Sequence, residues 1–64
     1  MGEPLLVDVI EAARMLGVGR SKLYQLLTAG EIASIHIGKS RRVVVADLTA
    51  FVQRQAERQW GELR

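Results

Sequence analysis

The chain has no cysteine, one histidine and one proline, and these shortages exclude several kinds of site. Without cysteine there is neither a disulfide nor a thiolate metal site, and one histidine is too few for a zinc centre. The longest apolar runs, such as residues 43–46, are far shorter than the roughly 20 residues that cross a bilayer. We therefore expect no metal, no cofactor and no membrane partner.

Catalytic signals are also missing. No motif places a nucleophile beside a base or pairs two carboxylates, so we predict no catalytic residues and no enzymatic activity. The N-terminal segment carries Glu3 and Asp8 instead of a basic stretch before an apolar one, which is untypical of a secretory signal. With 64 residues and 48% apolar content, we expect one soluble cytoplasmic domain over residues 1–64, frayed at residues 1–4.

Positive charge is concentrated in the middle of the chain. Residues 17–42 carry five basic side chains against one acidic one, whereas the formal net charge of the whole chain is +2. Such clustering is typical of a surface that binds phosphate, although a solvated basic face would look the same.

The first predicted helix begins with a capping pattern. Asp8 is followed three residues later by Glu11, so the Asp8 side chain can accept from a free N–H while Glu11 reaches back. Apolar residues then repeat at i, i+3, i+4 and i+7, which is one stripe of a helix: Val9, Ala12, Ala13 and Leu16. Gly17 predicts a left-handed end to this helix.

A second helix is predicted to begin near Arg20 after a three-residue turn, with Gly19 as its N-cap, and to close at Gly30. Its buried stripe is formed by Leu23, Leu26 and Leu27. The opposite face carries groups that can read base edges and no acidic group that would repel phosphate; it holds Arg20, Ser21, Lys22, Tyr24, Gln25 and Thr28. An ordinary polar helix surface is the alternative, and Tyr24 fits a core edge as well as a phosphate contact.

A hairpin is predicted next, because β-branched runs flank a turn that contains Gly38. Alternation places Ile35 and Ile37 on one face and His36 on the other, which we expect to face outward. The predicted tip is strongly basic, and its residues are Lys39, Ser40, Arg41 and Arg42. A solubilising loop is the alternative; the helix pair immediately before the hairpin favours a wing that contacts DNA.

Helical spacing returns at the end of the chain. A stripe predicted to complete the core is formed by Leu48, Phe51 and Val52. Asp47 lies near the positive N-terminal end of this helix. Residues 54–64 exceed the needs of a minimal domain, and we predict a helical tail whose possible partner contacts are Arg54, Arg58 and Trp60. A place at the edge of the core is the more conservative interpretation of Trp60.

Residues 5–52 together resemble the excisionase family of recombination directionality factors. The matching motifs are EAARMLGV for the first helix and turn, GRSKLYQLL for the recognition helix, AGEI for its exit and IGKSRRV for the wing. The resemblance implies a mainly α winged helix-turn-helix fold with a small β-hairpin, related to the DNA-binding domains of mercury-regulator-type activators. It is specific for the fold and less specific for excision itself.

The resemblance also implies roles for individual residues. Those that enter or flank the major groove are Arg20, Ser21, Lys22, Tyr24 and Gln25, and those that reach an adjacent groove or phosphates are Lys39, Ser40, Arg41 and Arg42. Two departures from the family pattern are Gly19, where Ser or Thr is usual, and Val44, where Pro is frequent. The start of the last helix is therefore left open.

We predict a sequence-specific double-stranded-DNA-binding excisionase that bends attachment-site DNA and promotes integrase-mediated excision of a phage or mobile element. The resemblance implies head-to-tail self-association on repeated sites and an integrase partner. Without a long coiled-coil helix, an obligate twofold dimer is disfavoured. The alternatives are a small transcriptional regulator that uses the same surface, and a protein-interaction adaptor that docks through Trp60.

Overall fold

A computed structural model describes residues 4–63, with the backbone alone described for Leu63. In this part of the chain three helices pack against one face of a three-stranded antiparallel sheet. The elements in chain order are β1 (Leu6–Val7), α1 (Val9–Leu16), α2 (Arg20–Thr28), β2 (Ser34–Ile37), β3 (Ser40–Val44) and α3 (Val45–Leu63). The mainly α winged helix-turn-helix fold is confirmed. Most of the predicted frayed end, residues 1–3, lies outside the described residues.

Helix α1 begins with half of the predicted capping box. The Asp8 Oδ1 atom accepts from the Glu11 backbone N–H at 2.7 Å. The prediction that Glu11 reaches back is wrong, because its carboxylate accepts from the Arg14 guanidinium, with Nε and Oε1 2.8 Å apart. This hydrogen bond and the charge of Arg14 lower the pKa of Glu11 below its ordinary value.

The turn between α1 and α2 comprises residues 17–19, as predicted. Gly17 has φ 72°, and the Val18 N–H donates to the Ala13 carbonyl at 3.0 Å, which satisfies a free helix-end carbonyl. Helix α2 ends in the same way: Gly30 has φ 76°, and the Glu31 N–H donates to the Leu26 carbonyl at 2.9 Å. Both ends use a glycine in the left-handed region, so the helix boundaries are fixed by local backbone chemistry.

Strand β3 lies in the middle of the sheet, with β1 on one side and β2 on the other. Strand β1 was not predicted; it adds a third strand to the two-stranded wing by pairing Leu6 with Val44 and Val7 with Val43. Because Ser34 pairs with Val43, the face that carries Val7, Val43 and Ser34 turns toward the core.

The core lies between this sheet face and the three helices. Its largest fully buried side chains are Leu23, Ile32 and Val43. Helix α3 begins at Val45, directly after β3, so the third valine of the predicted strand is helical. Leu48 is buried and Phe51 is half-buried, whereas Val52 is 50% exposed, so the predicted buried stripe of α3 is wrong at Val52.

Candidate nucleic-acid interface

Helix α2 presents one exposed polar face. Burial of Leu23 and Leu27 fixes the rotation of the helix about its axis, because these residues are one turn apart on the core side. The predicted recognition residues are all exposed, and they are Arg20, Ser21, Lys22, Tyr24, Gln25 and Thr28. Tyr24 is 47% exposed, so about half of the residue's surface is accessible to a ligand.

The N-terminal end of α2 suits an anion. The N-cap residue Gly19 has no side chain that could accept from the N–H groups of the first turn, and the first turn contains no acidic residue. The first N–H groups of a helix have no partner within the helix, and its dipole is positive at this end. Arg20 and Lys22 add two positive charges on the same turn, so phosphate is favoured there by both backbone and side chains.

The hairpin turn is tighter than the sequence predicted. Ile37 pairs directly with Ser40, so the loop consists of Gly38 and Lys39 alone. Gly38 has φ 61° while Lys39 has a negative φ, which is the sign pattern of a type II′ hairpin turn. The prediction of a four-residue basic tip is therefore wrong. Lys39 is at the tip, and Ser40, Arg41 and Arg42 lie in strand β3.

Arg41 and Arg42 consequently point to opposite faces of the sheet. Arg41 pairs with His36 on the core-side face, is half-buried, and donates from Nε to the Ser34 hydroxyl at 3.1 Å. Arg42 pairs with Ile35 on the outward face. His36 stands on the opposite face from Ile35 and Ile37 and is exposed, as predicted. The face that carries it is the core-side one, however, and the outward positions of β2 belong to Ile35 and Ile37.

Part of the outward face of the sheet is an apolar patch, next to Arg42. A cleft of about 600 Å³ lies on it, and its lining residues are Pro4, Leu5, Leu6, Ile35, Val44, Val45 and Ala46. Leu5 is 84% exposed and Ile37, beyond the cleft, is 57% exposed. This cleft was not predicted from the sequence, because β1, which forms one side of it, is two residues long and leaves no detectable periodicity.

The three predicted partner contacts on α3 have different surroundings. Arg54 Nη2 donates to the Glu31 carbonyl at 2.7 Å, so this side chain already has a contact within the protein. Arg58 and Trp60 are exposed, and the core-edge interpretation of Trp60 is wrong because 61% of the residue is accessible. Val52, Ala56 and Trp60 are spaced by four residues and form an apolar stripe on one side of the helix.

Within residues 4–63, no group of three or more acidic or histidine side chains is arranged to hold a metal ion. None of the helices in the described part of the chain is both long and apolar enough to traverse a bilayer.

Comparison with known proteins identifies the family. A family described as a helix-turn-helix domain matches residues 6–56. An excisionase of Streptomyces ambofaciens is 42% identical over 52 residues, which are 81% of this chain and 84% of that protein. The chain belongs to the excisionase family of helix-turn-helix proteins.

Two further relatives of this excisionase-family protein are longer. A probable excisionase of Saccharopolyspora erythraea is 51% identical over 39 residues, 61% of this chain and 40% of that protein. An uncharacterized protein of Mycobacterium tuberculosis is 36% identical over 53 residues, 83% of this chain and 46% of that protein. The chain thus spans less than half the length of these two relatives. No solved structure matches it.

Proposed function

We propose that this protein binds double-stranded DNA with α2 in the major groove and the hairpin as a wing, and that it thereby promotes excision of a phage or mobile element by an integrase. The observation that carries the proposal is the exposed face of α2, which is polar, free of acidic side chains and positive at its N-terminal end. Membership of the excisionase family supports it. The protein itself would perform no covalent chemistry and would act on DNA in the bacterial cytoplasm.

Helix α2 and the hairpin would have different roles in DNA binding. Gln25 lies on the exposed face of α2, and its amide can both donate to and accept from the edge of a base. Lys39 at the hairpin tip and Arg42 on the outward strand face carry positive charge that can pair with phosphate. We therefore assign sequence reading to α2 and backbone holding to the wing.

Several copies of the protein, bound side by side, would bend the DNA together. Bending a site of roughly 20–30 base pairs by 40–90° costs on the order of 1–6 kcal/mol, and copies aligned head to tail on repeated sites would share this cost. The tail residues Arg58 and Trp60 are accessible for contact with the integrase.

A mobility-shift titration at increasing salt tests DNA binding. With three to five phosphate contacts, the logarithm of the binding constant should fall with a slope of about −3 to −5 against the logarithm of salt concentration. A flat response would eliminate DNA as the ligand and leave the adaptor role through Trp60.

Paired substitutions test the division of work. Gln25→Ala should reduce the preference for the cognate site while leaving affinity for unrelated DNA unchanged. The combination of Lys39→Ala and Arg42→Ala should weaken binding to all sequences alike and make the salt slope shallower by about 2. Equal effects of the two variants on both kinds of DNA would contradict the assignment.

Excision is tested by recombination in vitro with the cognate integrase and both attachment sites. We expect this protein to stimulate the excisive reaction and to leave the integrative reaction unstimulated. Tight DNA binding without any effect on recombination would favour a transcriptional regulator that uses the same surface.

A further inference from the structure

The segment that joins the recognition helix to the wing, residues 31–33, is fastened to α3 at both ends. The Ala33 N–H donates to Asp47 Oδ2 at 2.6 Å, and Arg54 Nη2 donates to the Glu31 carbonyl at 2.7 Å. Between these two points, Ile32 is buried with 1% of its surface exposed. Three consecutive residues are thus held by a carboxylate, the core and a guanidinium.

The two side chains that hold this segment come from one face of one helix. Asp47 and Arg54 are seven residues apart, which is two turns of α3. Both hydrogen bonds join a charged group to a backbone group, and such bonds are shorter and stronger than those between neutral groups. Helix α3 therefore holds both ends of the three-residue link, residues 31–33, so the link has little freedom to change its orientation.

The link lies between the end of α2 and the start of β2. The left-handed residue Gly30, which ends α2, immediately precedes it, and β2 begins at Ser34 immediately after it. Helix α2 packs mainly on α1, and the hairpin packs on α1 and α3 through β3. Leu23 and Leu27 of α2 also share the core with Val43 of the hairpin. Residues 31–33 are therefore the direct covalent link between recognition helix and wing, alongside the packing that both elements share on α1 and in the core.

We propose that Asp47 and Arg54 are positioning residues that fix the orientation of the wing relative to α2. As far as DNA is concerned, this inference rests on the proposed function. Two elements that must reach neighbouring parts of a duplex at the same time bind more tightly when their relative orientation is already correct in the free protein. Neither residue needs to touch DNA for this purpose.

The free protein gives the first test, with Arg54→Met as the principal variant and Arg58→Met as its control. Both changes remove one positive charge from an exposed arginine of α3, but Arg58 lies one turn beyond the link. Residual dipolar couplings of backbone amides measure the angle between α2 and the β2–β3 hairpin. We expect this angle to change or to become averaged in Arg54→Met and to stay as in the unmodified protein in Arg58→Met and in Arg54→Lys, which retains a donor.

DNA affinity gives the second test, through a double-mutant cycle. Arg54→Met should weaken binding to the cognate site by about five- to tenfold more than Arg58→Met, which corresponds to roughly one hydrogen bond. In a chain that already carries Lys39→Ala and Arg42→Ala, this additional loss should disappear, because the wing no longer contributes. A general loss of stability would give the same loss in both backgrounds.

The failures of the two proposals are distinguishable. If the unmodified protein binds no DNA, the proposed function is wrong, and the dipolar couplings still decide whether Arg54 orients the hairpin. If Arg54→Met keeps the unmodified couplings, the positioning role is overturned, whatever the DNA affinity. Asp47→Ala and Asp47→Asn repeat the comparison at the other end of the link, since asparagine keeps an acceptor oxygen.

Discussion

At the residue scale, two glycines determine where the first two helices end. Gly17 and Gly30 have φ values of 72° and 76°, which L side chains rarely adopt, and in both cases the following N–H groups close the helix. Apart from its two chain neighbours, a β-carbon built on Gly17 would meet no atom within 4 Å. The requirement for glycine at this position therefore comes from backbone conformation and not from lack of space.

Gly17→Ala should lower the free energy of unfolding by about 1–2 kcal/mol, because alanine must adopt the left-handed conformation. Chemical denaturation measures the loss. Gly61→Ala is the matched control: it lies inside α3, has open space around it and no positive φ, so stability should stay the same or rise. Equal destabilisation by both changes would show that the φ of Gly17 is not the cause.

Glu11 makes stability dependent on pH. Its hydrogen bond to Arg14 lowers its pKa in the folded protein, so the unfolded chain binds more protons as the pH falls. The stabilisation is fully present above the pKa of the unfolded state and is lost as the pH falls through the pKa of the folded state. It is small, because the pair is exposed to solvent.

Thermal melts of the unmodified protein and Glu11→Gln check this sign. The difference in melting temperature should be largest near neutral pH and should shrink as the solution is acidified. A difference that grows toward low pH would mean that the ion pair does not lower the pKa. Asp8→Asn, which keeps an acceptor at the N-cap, serves as a comparison.

At the scale of the elements, the sequence predicted those features of the helices that depend on residues close by in the chain. The apolar stripe of α1, the N-cap Asp8 and the glycines that end α1 and α2 depend on residues within one or two turns, and all were predicted from the sequence. The features that were missed depend on residues far away in the chain. Strand β1 is defined by its pairing with β3, and Arg54 forms its hydrogen bond with a carbonyl 23 positions earlier. The face on which Arg41 stands depends on the loop length, which fixes the register of the whole hairpin.

The two faces of the sheet should respond differently to the same kind of change. Val43→Thr places a hydroxyl at a position with no exposed surface and should cost about 1–3 kcal/mol in the free energy of unfolding. Ile37→Thr, at an outward position that is 57% exposed, should change it by no more than about 0.5 kcal/mol. Urea denaturation distinguishes the two, and the opposite order would contradict the observed register.

At the scale of the whole molecule, size limits how much DNA one copy covers. The longest dimension is 45 Å, which corresponds to about 13 base pairs at 3.4 Å per step. A bent site of roughly 20–30 base pairs is therefore longer than one protomer, so several copies would be needed to cover it.

Hydroxyl-radical footprinting checks this limit. At low protein concentration the protected tract should not exceed about 13 base pairs, and it should lengthen in steps as further copies bind. Mass spectrometry of the intact complexes counts the copies at each step. One protomer that protects the full bent site would contradict the repeated-copy arrangement.

The accessibility of Trp60 has a practical consequence for spectroscopy. It is the single tryptophan of the chain, and it lies on the solvent-facing part of α3 and not in the core. Its fluorescence therefore reports on the tail: emission from the folded protein should already resemble that of a hydrated indole and should change little when the core melts. A blue shift on mixing with an unlabelled macromolecule would then signal docking at the tail.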